Sequence, residues 1–90
     1  MNSDRRKTLA KLRGEIEEFA SKLADFIDQA ETIGDEENEY LENMPDSFKD
    51  GEKGEAAQAA ADAIENAKAS IEEARDALDS AVQSIEEAVQ

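Results

Sequence analysis

Between Leu9 and Ile33 the apolar residues fall at Leu9, Leu12, Ile16, Phe19, Leu23, Phe26, Ala30 and Ile33, and their spacings alternate three and four without a break. A strand alternates with period two and a loop has no period, so this stretch is an α-helix with a heptad seam. With Leu9 at position a, Leu12, Phe19, Phe26 and Ile33 stand at d. Arg13, Ala20 and Ile27 stand at e, where Ile27 widens the stripe. Asn2 or Ser3 is the expected N-cap, because a side-chain oxygen there accepts from the first free N–H groups.

The second half is as regular. Ile64, Ile71, Leu78 and Ile85 lie seven apart, and Ala60, Ala67, Ala74, Ala81 and Ala88 fill the alternate seam position. Val82 and Val89 broaden that stripe on one flank, and Ala63 and Ala77 on the other. Alanine's helix propensity suits a long helix over Glu55 to Val89, about 50 Å long at 1.5 Å per residue.

Gly34 either ends the first helix as a C′ residue or sits inside it at about 1 kcal/mol relative to Ala. The same heptad frame beyond it finds Tyr40 at d and Met44 at a, with only Glu37 breaking the pattern. Continuity to about Asn43 also matches the length of the second helix, so the first is expected to run through Gly34. Pro45 disfavours helical geometry at Met44 and sets the stop. Residues 44–54 then carry the turn residues a reversal needs. The expected fold class is all-α: a long antiparallel two-helix hairpin, coiled-coil-like, with helices over about 3–43 and 55–89 in one domain of residues 1–90. Residues 1–8 form a short basic overhang.

The expected seam comprises Leu12, Ile16, Phe19, Leu23, Phe26 and Tyr40 against Ile64, Ile71, Leu78 and Ile85. Two helices share one interface, and chains of this size are marginally stable. Ile27, Leu41, Val82 and Val89 would stay partly wet in a lone hairpin, so a homodimer forming a four-helix assembly is expected.

Asp and Glu number 24 against 10 Lys and Arg, a net charge of −14. Direct nucleic-acid binding needs a basic footprint and anionic membranes attract basic ones, so neither is an expected partner. With no Cys and no His, thiolate chemistry, zinc-thiolate sites, the usual triad and the usual transition-metal ligand are missing. No apolar run approaches a membrane span and no stretch after Met1 resembles a signal peptide, so a cytoplasmic protein is expected.

Asp46, Asp50 and Gly51 partly match the opening of a calcium loop. The third position, however, is Phe48 and the twelfth is Ala57, where a bidentate Glu is required. A polar turn is the better account. Paired-carboxylate catalysis needs two acids in a shielded cleft with their pKa values pushed apart, whereas these acids fall mainly outside the seam. The chain is read as non-enzymatic, with no cofactor or metal.

The acidic surface carries the functional expectation. Glu65, Glu72, Asp79 and Glu86 repeat every seven residues. From Glu31 to Glu55 ten acids face two bases, and Glu36, Glu37, Glu39 and Glu42 form the densest group. A charged outer face serves solubility, but mixed signs serve it equally well, and a single-sign excess repels itself. A hairpin about 55 Å long with this charge carries one unit per ~4 Å, near the ~3.4 Å of single-stranded nucleic acid. A side-by-side dimer would reach one per ~2 Å, close to duplex density. The first thirteen residues carry the opposite sign, with Arg5, Arg6, Lys7, Lys11 and Arg13 against Asp4. They are read as ordinary solvated residues at the start of a helix, free to pair with the acidic end of the second helix in the hairpin or across a dimer, in preference to a docking arm. Phe48 is expected to pack over the hairpin end beside Met44 and Tyr40. If exposed, it would be a partner-binding anchor.

The stretch Glu36-Glu37-Asn38-Glu39-Tyr40-Leu41-Glu42-Asn43-Met44-Pro45-Asp46-Ser47, followed by Gly51-Glu52-Lys53-Gly54-Glu55, resembles a group of short acidic proteins of phages and mobile elements. In that group an acidic helix ends in an aromatic-x-x-Asn-[Leu/Met]-Pro-[Glu/Asp]-Ser turn and an Ala-rich helix follows. The resemblance implies a hairpin of phage-related origin, in a host cytoplasm, with no catalytic residues. By size and charge the chain is also similar to DNA mimics and anti-CRISPR inhibitors. The expected partner is therefore a protein with a basic groove, such as a CRISPR or other host defence complex.

Overall fold

In a computed structural model covering residues 1–90, Asn2 opens the first helix. Its extended backbone and side-chain Oδ1, which accepts from the Arg5 N–H at 2.8 Å, make it the N-cap. The helix, α1, runs unbroken through Gly34 over Ser3–Glu42. Pro45 starts a one-turn helix, α2, over Asp46–Lys49: the Pro45 carbonyl accepts from the N–H groups of Phe48 at 2.8 Å and Lys49 at 3.0 Å. Gly51 then caps α3, Glu52–Val89. The hinge is shorter than residues 44–54, because its middle turn satisfies its own backbone as a helix and α3 starts three residues earlier than Glu55.

α3 folds back along α1 and the pair forms a rod. Its Cα extents are 69 × 14 × 14 Å and its radius of gyration is 20.1 Å, against about 12 Å for a compact chain of this length. Gly34 lies opposite Ile64, whose Cγ2 would sit 3.4 Å from a Cβ at position 34. Twenty-five residues on from Ile64 is Val89, and twenty-five back from Gly34 is Leu9, so Arg5, Arg6 and Lys7 project past the end of α3.

The seam differs from expectation in one consistent way. On α1 the covered residues are Ala24, the a row (Leu9, Ile16, Leu23, Ala30, Glu37), which Met44 continues past the helix end, and the e row (Arg13, Ala20, Ile27, Gly34, Leu41). Leu23 and Ile27 are buried at 8% and 7% exposure, so Ile27 is at the centre of the interface and not at a wet flank. The d row faces out: Leu12, Phe19, Phe26, Ile33 and Tyr40 are each about half exposed. On α3 the covered rows are Ala57, Ile64, Ile71, Leu78 and Ile85, with Gly54, Ala61, Lys68, Arg75, Val82 and Val89. Ala67, Ala74 and Ala88 of the expected alanine row are exposed, while Ala60 and Ala81 are half covered.

Size explains the shift. Ala20, Ala30 and Gly34 on α1, with Gly54, Ala57 and Ala61 on α3, let the two backbones approach more closely than paired Phe side chains would. Only five hydrophobic residues are buried: Leu23, Ile27, Met44, Ala57 and Ala61. Gly14, by contrast, is mid-helix with open space around any added Cβ. Gly14→Ala should therefore stabilise the hairpin by about 0.5–1 kcal/mol, read as a rise in the urea midpoint at unchanged slope.

Candidate partner-binding surface

The a/e seam divides the rod into two unlike sides. In an antiparallel pair that buries a and e on both helices, the two d rows fall on one side and the two b rows on the other. The clefts between the helices agree. Near the hinge, Tyr40 of the α1 d row shares a cleft with Lys53, seven residues before Ala60 of the α3 d row. On the other side, Glu31 and Asn38 face Asp62, Glu65 and Lys68 across a groove of about 220 Å³. Further along, Glu17 shares a cleft with Asp79, Val82 and Glu86.

The acidic row on α3 thus lies on one flank, with Glu65, Asp79 and Glu86 exposed and Glu72 half covered. Glu17, Glu31 and Asp35 of α1 continue that flank, and Lys68, half covered, is the base within its groove. The contribution of α1 was not expected. Glu17 and Glu31 lie fourteen apart in one heptad row, but which side that row joins depends on the seam register.

The second expected group is not brought together with the row. Glu36, Glu39 and Glu42 are exposed at g, c and f, around the back of α1. Glu37 occupies an a position, half covered, in the cleft that Tyr40 and Lys53 line. The two acidic groups thus lie apart, one as a flank along the rod and the other as a cluster behind α1.

Phe48 does not fill the hairpin end. Met44 does, at 8% exposure, and Phe48 is left 49% exposed on α2 with the Lys53 Nζ 5.4 Å from its ring centroid. A cation–π contact of this kind at an exposed site contributes about 0.5–1 kcal/mol. The basic overhang is solvated, as expected, and makes no ion pair with α3 within the hairpin. Every ion pair is local in sequence: Arg13–Glu17 at 3.3 Å, Lys49–Asp46 at 3.9 Å and Arg75–Asp76 at 3.8 Å. None joins the N-terminal bases to the acidic end of α3, and no interhelical hydrogen bond draws them together.

No three His, Cys, Asp or Glu side chains converge as a metal site, and no buried side-chain polar atom lacks a partner. No helix is long and apolar enough to cross a membrane. What the geometry offers is therefore surface: a negative flank, and opposite it a half-exposed apolar side. No protein-family model, curated protein or solved structure matches the chain.

Proposed function

We propose that the chain is a non-enzymatic acidic binding protein whose flank of Glu65, Glu72, Asp79 and Glu86 occupies a basic groove on a nucleic-acid-handling or defence protein. The observation that carries this reading is the alignment of the row with Glu17 and Glu31 along one side of an extended rod. An extended line of negative charge on a stiff support resembles a nucleic-acid backbone in the feature a basic groove senses. The phage-protein likeness of the hinge favours a host defence complex as the target.

The charge spacing is looser than the sequence suggested. Spread over 69 Å, a net −14 is one unit per ~5 Å, and two hairpins side by side carry one per ~2.5 Å, between single-stranded and duplex values. Mimicry of a duplex therefore leans on pairing of two copies.

Affinity capture from host lysate at low and high salt tests the proposal, with Glu65, Glu72, Asp79 and Glu86 reversed to Lys as control. Capture of a nucleic-acid-binding complex should fall steeply as salt rises and vanish in the reversed variant, because charge-led association is screened. Capture indifferent to both salt and reversal would overturn it.

A second reading, a structural self-assembling module, is favoured by the exposed d row of α1. Its association would depend on apolar side chains and would strengthen with salt, since each copy carries the same net charge.

A further inference from the structure

We infer that the apolar side of the rod is the seat of a second copy of this chain, with α1 of each copy lying over α3 of the other. The inference rests on reading the hairpin as a self-pairing unit and identifies the surface that pairs. It is not the surface the sequence suggested: Ile27 is buried within a single hairpin, and Leu41, Val82 and Val89 are half covered there.

The lone hairpin exposes too much. Its accessible surface is 6543 Å², against about 5,200 Å² for a compact monomer of 9.9 kDa. Most of the exposed large apolar side chains lie on one side. Phe19, Phe26 and Ile33 are 54%, 47% and 53% exposed, and scattered singly such residues would need no account. Here they repeat every seven residues along one line. With Leu12 and Tyr40 the line extends about 42 Å at 1.5 Å per residue. A strip of that length across a rod 14 Å wide covers about 600 Å², so two strips facing one another bury about 1,200 Å², the lower bound of specific interfaces.

Three features make the occupant a second copy. First, the side is built of rungs, each a large d residue on α1 beside an alanine on α3. Phe19 neighbours Ala81, Phe26 neighbours Ala74 and Ile33 neighbours Ala67, each pair level to about 3 Å given the Gly34–Ile64 alignment. A two-fold axis along the rod carries each large side chain onto the alanine of the same rung in the other copy. Second, the rung repeat, about 10.5 Å, is identical in both copies, so one match makes them all. Third, although both copies are acidic, the acidic row of α3 stays out of the contact. The acidic row lies on the opposite flank, and the α3 edge meeting the partner's α1 is Ala56, Ala63, Ser70, Ala77 and Ser84. The paired form then exposes both acidic flanks outward.

Sedimentation and light scattering on the full chain test this through a volume swap within one rung. Phe26→Ala and Ala74→Phe alone should each weaken pairing about a hundredfold, while the double variant recovers most of it. Both positions are exposed in the hairpin, so helicity by circular dichroism should stay unchanged in all three. Recovery requires α1 over α3. If α1 lay over α1 of the partner, the swap would place two alanines in one contact and two phenylalanines in the other. Pairing that Phe26→Ala weakens but the swap does not restore overturns the arrangement. A wild-type dimer indifferent to all three variants overturns this surface while leaving self-pairing intact. A wild-type chain monomeric at about 100 μM overturns self-pairing itself.

Discussion

Ile27→Asp should abolish the hairpin, whereas Phe26→Asp, one residue away, should leave it folded. Ile27 is 7% exposed in the seam between α1 and α3, and Phe26 is 47% exposed on the apolar side. An aspartate at position 27 loses a buried side chain, about 2–5 kcal/mol. It also places a carboxylate in the seam without a partner, adding several kcal/mol more. A domain this small has only a few kcal/mol in total, so the sum exceeds its stability. At position 26 the carboxylate remains in water and the change to the isolated hairpin is within about 1 kcal/mol. Urea unfolding followed by circular dichroism, at dilutions where copies are apart, separates the two. A larger loss at Phe26 than at Ile27 would mean that the seam is a/d after all.

The second large effect is at the hinge. Gly54 is buried in the first turn of α3, and a Cβ there would fall on the backbone of Lys49, the last residue of α2. The obstacle is main chain, which cannot swing aside as a side chain can. Gly54→Ala therefore forces α2 away from α3 and uncovers Met44, at a loss of about 2–3 kcal/mol or about 10 °C or more in Tm. Gly51 is the control. Its backbone is extended, at φ −104°, and a Cβ would meet only the Phe48 and Ser47 carbonyls at 3.7 and 3.8 Å. Gly51→Ser should be neutral or slightly stabilising, because serine serves as an N-cap at least as well as glycine. A Gly54→Ala hairpin that melts with the wild type would show that α2 does not pack as described.

Much of the architecture was legible in the residues because it depends on local periodicity. The three-four spacing from Leu9 to Ile33, the Asn2 cap, the stop at Pro45 and the continuation through Gly34 each follow from backbone chemistry and heptad repeat. The acidic row was legible for the same reason: Glu65, Glu72, Asp79 and Glu86 recur at the repeat itself. The α2 turn was less so, because four residues offer no period, and Asp46-Ser47-Phe48-Lys49 suits a loop as well as a helical turn.

The register of the seam was decided only by packing. Leu12, Phe19, Phe26, Ile33 and Tyr40 at d are as apolar as the residues at a, and a hydrophobicity pattern alone does not rank d against e. The ranking comes from how closely two backbones can approach, which is set by pairs far apart in sequence such as Gly34 with Ile64 and Gly54 with Lys49. Once small residues draw the helices together along a and e, the large d residues have no room between them and turn outward. That rotation of the seam, by about 50° from an a/d line, also decides which acids share a flank. It joins Glu17 and Glu31 to the α3 row and sends Glu36, Glu39 and Glu42 behind α1. The sequence by itself determined that there are two long helices, where they reverse and that they are acidic, because these are local properties. Which side is charged, which side is bare and apolar, and so what each can bind, was determined by the tertiary contact between two helices whose shapes fit in one register.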